Sequence, residues 1–321
     1  GISLLLGAFH LAAVAVFAWG LKAIVPAWCL PARLLASLIV NLAQAVYIPR
    51  GGYWYQGTIT GTIYHNTTYI MLAPFALLAV LWFYRAWQGI DGKINLRDWL
   101  IYTLFLTAAT AFKANLIFAF APALLVLLIA DFIRTRAKNI GNEVLMGCSV
   151  FPSVGLCILE ATVLFTEEGS GLRLIFTTEF DRHAMLWGVF NEPALLGLVR
   201  SLPFVAAVAL LLRRQAFGSF RYKFSLFMFA IAMAEALLLV EGGERLYHAN
   251  LWWGPFICFW VLWLESVGIF FKQLLGKPQS AGTLVCGAAL SWHIISGVCY
   301  LVRLMQGISY NVPILTYHIG F

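Results

Sequence analysis

Apolar residues in this chain run in uninterrupted blocks of membrane-crossing length, separated by short polar stretches, with none of the period-two alternation of barrel strands. The pattern predicts helices at about 2–20, 33–48, 68–84, 99–112, 115–132, 144–165, 194–212, 224–241, 250–271 and 282–302. The fourth and fifth are short and together suit a broken or re-entrant pair. The expected fold is all-α: a polytopic transmembrane helical bundle of about ten spans, forming a single domain over 1–321. Gly1 enters hydrocarbon-length sequence at once, so a native N-terminal helix and outer loop are expected upstream of it.

Composition narrows the class further. Of the 321 residues, 62% are hydrophobic and 11% charged, and the mean hydropathy is +0.85, whereas a soluble domain is about a quarter charged. With alternating spans and an outside N-terminus, Lys22, Arg33, Arg85, Lys93, Arg97, Arg134, Arg136, Lys138, Arg213, Arg214, Arg221, Lys223, Lys272 and Lys277 share one side. That is fourteen of the 21 basic residues, so this side is assigned to the cytoplasm. The net charge of +7 is then explained by anchoring to anionic lipid, and nucleic acid is not needed as a partner. Six scattered cysteines without CxxC spacing read as free, buried thiols, and no dinucleotide, phosphate-loop, HExxH or GxSxG motif occurs. No cofactor is called for, although a divalent metal is left open.

Most acids and histidines fall on the side opposite the basic loops, which directs the search there. The stretch from Tyr47 to Thr68 combines glycines, aromatic rings and the pair His65 and Asn66, either of which can donate to a phosphate or hydroxyl; an interfacial aromatic belt explains the rings equally well. Glu241-Gly-Gly-Glu-Arg-Leu-Tyr-His-Ala-Asn packs Glu241, Glu244, Arg245, His248 and Asn250 into ten residues. Arg245 and His248 could hold a phosphate and Glu241 or Glu244 act as a base, or Glu241 and Arg245 could merely cap a helical hairpin. Lys113 and Asn115 punctuate the fourth and fifth spans at the same outer depth. Within the bilayer Glu160, Arg200 and Glu235 have similar estimated depths, so Arg200 is expected to pair with one of the two acids. Glu265 and His293 are read as satisfied packing positions.

Tyr64-His-Asn-Thr-Thr-Tyr-Ile-Met-Leu-Ala-Pro-Phe, Phe112-Lys-Ala-Asn-Leu-Ile-Phe-Ala-Phe-Ala-Pro-Ala and the Glu241–Gly254 run resemble a largely uncharacterised group of bacterial multispanning proteins encoded among cell-surface polysaccharide functions. More distantly the layout resembles the GT-C glycosyltransferases. The resemblance implies sugar transfer from a polyprenyl-phosphate donor to a glycan acceptor on the outer face of a bacterial plasma membrane. That superfamily places a catalytic acid in its first outer loop, and this chain has no acidic residue before Asp91. Two other readings stand beside it: a transporter or flippase using Glu160, Arg200 and Glu235, and a non-catalytic membrane subunit of a larger assembly.

Overall fold

The computed structural model describes residues 1–46, 58–61, 66–163, 172–174, 194–241 and 250–307. The helices are α1 (Ile2–Ile24), α2 (Leu30–Val40), α3 (Thr67–Trp87), α4 (Leu96–Phe112), α5 (Asn115–Thr135), α6 (Ile140–Cys148) and α7 (Phe151–Val163). They continue with α8 (Ala194–Ser201), α9 (Pro203–Leu211), α10 (Arg213–Gly218), α11 (Phe220–Leu238), α12 (Trp253–Gly276) and α13 (Ala281–Met305). The exception to this helical architecture among the described residues is one antiparallel pair of three-residue strands, β1 (Leu172–Leu174) and β2 (Leu239–Glu241).

Each predicted hydrophobic stretch overlies a helix. Six helical segments are long and apolar enough to cross a membrane: α1, α3, α5, α6 with α7, α12 extended back to Asn250, and α13. Elsewhere the reasons for falling short are local. Helix α2 stops at Val40, α4 has 17 residues, Pro203 separates α8 from α9, and α11 carries Arg221, Lys223 and Glu235. Polar side chains set several helix starts: Asn66, Asn95, Ser219 and Ser280 each accept a first-turn backbone N–H of α3, α4, α11 and α13 respectively.

Helix α12 is apolar on every side and is accordingly the axle of the bundle, with every residue from Gly254 to Phe270 buried. Helices α1, α3, α5, α9, α11 and α13 pack around it. Around Phe83 the rings of Phe224, Phe120 and Tyr102 lie with centroids 4.6, 5.2 and 5.9 Å away, which joins α3, α4, α5 and α11. Helices α1 and α13 expose Leu4, Leu11, Ile295 and Val302, as expected of a lipid-facing rim.

Polar contacts gather the basic residues at one end. Arg85 lies 3.4 Å from Asp98, Arg134 bridges Asp91 and Asp131, Asn142 donates to the carbonyls of Ile90 and Gly92, and Gln215 donates to Gln273. The Trp87 and Phe220 rings stack, and Trp28 meets Phe271, so the α1–α2 turn and the starts of α4, α6 and α11 belong to the same end. All fourteen basic residues counted from the sequence sit in these turns or in helix segments beside them. The hydrogen bonds from Arg134 and Asn139 hold the Asp91 carboxyl below the ordinary carboxylate range.

Candidate functional site

At the opposite end four helix termini converge. Lys113 ends α4 in an extended conformation, and two positions later, after Ala114, Asn115 opens α5, so both side chains are held by a short link between helices. Lys113 Nζ lies 5.1 Å from the centroid of the Trp253 ring, at the start of α12. Asn115 Nδ2 donates to the carbonyl of Asn250 at 2.9 Å. Tyr69, in the first turn of α3, places its ring 5.6 Å from that of Trp253 and donates its hydroxyl to the Gly61 carbonyl at 3.1 Å. Gly254, in the first turn of α12, lies between α5 and α11: an added Cβ would stand 3.7 Å from both the Asn115 carbonyl oxygen and the Ala232 Cβ, an ordinary contact distance.

Of the residues singled out from the sequence, Lys113, Asn115 and Asn250 therefore come together, with Asn66 one turn from Tyr69. Asn66 also has a structural role. Its Oδ1 accepts the N–H of Tyr69 and the hydroxyl of Thr68, both at 2.9 Å, which makes it the N-cap of α3. Asn115 likewise spends its Nδ2 on joining two chain segments. Glu241 lies in β2 opposite Leu172, with its side chain outside the described residues. His65, Glu244, Arg245 and His248 also lie outside them.

The expected pairing of Arg200 with an intramembrane acid is corrected. Arg200 is fully buried on α8 and donates Nε to the Val46 carbonyl at 3.0 Å, while the Val46 N–H donates to the Arg200 carbonyl at 2.8 Å. The ion pairs among the described residues do not join Arg200 to Glu160 or Glu235. Both acids are half-buried, on α7 and α11. Similar depth along the helix axes says nothing of direction around them, and Arg200 Nε meets the Val46 carbonyl. Glu265 and His293 are satisfied, as read from the sequence. Glu265 accepts Arg221 Nε and Nη2 at 3.0 and 2.6 Å. His293 Nδ1 lies 2.6 Å from the Gln44 carbonyl, and its Nε2 accepts the Phe204 N–H.

These contacts expose a feature that the hydropathy pattern hides. Residues 41–46 continue the apolar run of α2 but are not helical, and with Thr58–Gly61 they form an irregular segment buried inside the bundle. Non-helical backbone at such depth is tolerated where protein satisfies it. Here Gln44 N–H donates to the His293 carbonyl, Ile59 N–H to Ser201 Oγ, and Trp260 Nε1 to Asn41 Oδ1. Two cavities flank the segment and share Gly61 and Trp260. Both are small: one, of about 10 Å³, is lined by Gln44, Thr60, Ser201, Trp263 and His293, and the other, of about 30 Å³, by His10, Asn41 and Tyr69. Tyr69 thus connects the terminal cluster with the second cavity. Asn41, Gln44 and Ser201 within apolar stretches were the available sequence signal. Among the described residues no group of three or more His, Cys, Asp or Glu is arranged to hold a metal ion.

Comparison with protein families, with curated proteins and with solved structures gives no match, so the site is read from its own residues.

Proposed function

We propose that this protein is an integral membrane glycosyltransferase or glycan polymerase of the bacterial plasma membrane, with ten spans in a GT-C-like layout, its basic end cytoplasmic and its site at the other end. The donor is a polyprenyl-phosphate-linked sugar. The observation that supports this most is the convergence of Lys113, Asn115, Asn250 and Trp253 at one end of the bundle, where Asn250 directly follows in sequence the stretch that carries Glu241, Glu244, Arg245 and His248. A cation next to an aromatic face suits a phosphate joined to a sugar ring, because the charge holds the anion while the ring offers a stacking surface.

In the proposed reaction an acceptor hydroxyl oxygen bonds to the anomeric carbon and the bond from that carbon to the phosphate oxygen breaks. Glu241 or Glu244 takes the hydroxyl proton, and the electron pair leaves on polyprenyl phosphate, steadied by Lys113 and Arg245. The test is release of polyprenyl phosphate by the purified chain in nanodiscs supplied with a lipid-linked sugar and a glycan acceptor. Lys113→Ala is expected to lower turnover about 10²-fold or more, as loss of an anion-stabilising donor does elsewhere, while the bundle stays folded.

A second reading, transport or flipping, is favoured by the helix interruptions at Val40 and Leu202 beside a buried polar segment, since transporters build substrate sites from discontinuous helices. It predicts movement of a solute or lipid across vesicles without a chemical product. A non-catalytic subunit would give neither signal.

A further inference from the structure

The α1–α2 hairpin carries two cations and no acid: the first Asp or Glu of the chain is Asp91. One of these cations, Arg33, is nevertheless buried. It is 8% exposed, and its Nε is inaccessible and makes no hydrogen bond. Helix α2 packs on α1 and touches α13, neither of which contains Asp or Glu. The ring contact of Trp28 with Phe271 brings α12 to the same place, and the acid of α12, Glu265, is bound to Arg221. The described elements around Arg33 therefore offer no carboxylate, and its inaccessible Nε is left without a partner, which is costly in apolar surroundings.

A second feature coincides with it. Helix α2 begins with no side-chain cap from Cys29, and Pro31 in its first turn has no N–H. Arg33 is the fourth residue of α2, on its buried side with Ser37 and Val40, and helical side chains lean toward the N-terminus, which is the direction of the uncapped first turn and the positive end of the helix dipole. Lys22 in the last turn of α1 adds charge. The outer side of α2 is apolar and open, with Leu30, Leu35 and Leu38 at 55, 61 and 48% exposure.

We propose that Arg33 and the N-terminus of α2 bind a phosphate oxyanion, supplied by a membrane phospholipid whose acyl chains lie along these exposed leucines. The chemistry is that of phosphate at a helix N-terminus reinforced by arginine. Free phosphate shares the oxyanion and lacks the chains, which lets experiment separate the two sources.

The chain, stripped of lipid in an uncharged maltoside detergent, is titrated with phosphatidylglycerol and separately with inorganic phosphate while thermal unfolding is followed. Phosphatidylglycerol is expected to raise the wild-type Tm saturably, with half-saturation shifted about tenfold upward in Arg33→Gln and less in Arg33→Lys. Equal stabilisation by inorganic phosphate would overturn the lipid assignment. An identical lipid response in wild type and Arg33→Gln, or none in wild type, overturns the site. Should Arg33→Gln not fold, native mass spectrometry of the wild-type chain decides: preferential retention of phosphatidylglycerol over uncharged diacylglycerol is expected, and equal retention refutes the proposal.

Discussion

Single residues show how polarity is tolerated inside this bundle. Glu265 is 2% exposed and depends on Arg221, which also lies 5.0 Å from the centroid of the Tyr84 ring. Tyr84 in turn donates its hydroxyl to the Arg221 carbonyl. Removing one member leaves the other's charge buried, so Arg221→Ala is expected to cost about 3–5 kcal/mol, whereas Arg221→Met with Glu265→Leu is expected to cost much less. Unfolding free energies of the single and double variants in micelles check this; additive losses would show that the two side chains are uncoupled. Sequence alone marks Glu265 as an isolated acid, because Arg221 stands 44 positions away on another helix. The same limit applies to Arg200, whose acceptor, the Val46 carbonyl, is a backbone group with no signature in residue type. Lys113 and Asn115 were legible for a different reason: a polar Lys-Ala-Asn between apolar runs can only be a turn at a helix end, and helix ends are where bundles place their open chemistry.

Helices were the most legible elements, since block length and apolarity follow directly from the demands of hydrocarbon. Their ends were less so. Asn41-Leu-Ala-Gln-Ala-Val reads as a continuation of α2, yet α2 ends at Val40, and the backbone beyond it runs close against α13. Gly297 is what permits this approach, because an added Cβ would overlap the Leu42 carbonyl. The obstacle is backbone, which cannot swing aside as a side chain can. Gly297→Ala is therefore expected to destabilise by at least about 1–3 kcal/mol, measured as a lowered Tm and reduced monodisperse yield. Gly287→Ala, facing the Phe270 ring at ordinary contact distance, is the matched control on the same helix and should be near neutral. Equal behaviour of the two would mean that α13 can move away from the segment.

At the scale of the whole molecule, the two ends differ in chemistry. One holds the fourteen basic residues and ion pairs such as Arg85 with Asp98; the other holds Lys113, Asn115, Asn250 and Trp253. The proposed orientation makes the basic end cytoplasmic, as retention of Lys and Arg would dictate. Cys29, exposed in the turn between α1 and α2, is a native reporter of that end. In a variant in which the other five cysteines are replaced by Ser or Ala, an impermeant maleimide is expected to label Cys29 in inverted vesicles and not in intact cells. Labelling from outside intact cells would reverse the orientation and with it the assignment of the site to the outer face.

The irregular segment after α2 has a consequence for how the chain is made. Its hydrogen bonds reach Arg200, 154 positions later, and His293, 249 positions later. A ribosome adding ~5–20 residues per second leaves Gln44 waiting roughly 12–50 s for its histidine. Throughout that interval its carbonyl lacks the His293 contact, and lipid offers no substitute for it. The nascent segment is then better held at the aqueous edge or inside the insertion machinery, and it completes its long-range contacts only after α13 has left the ribosome.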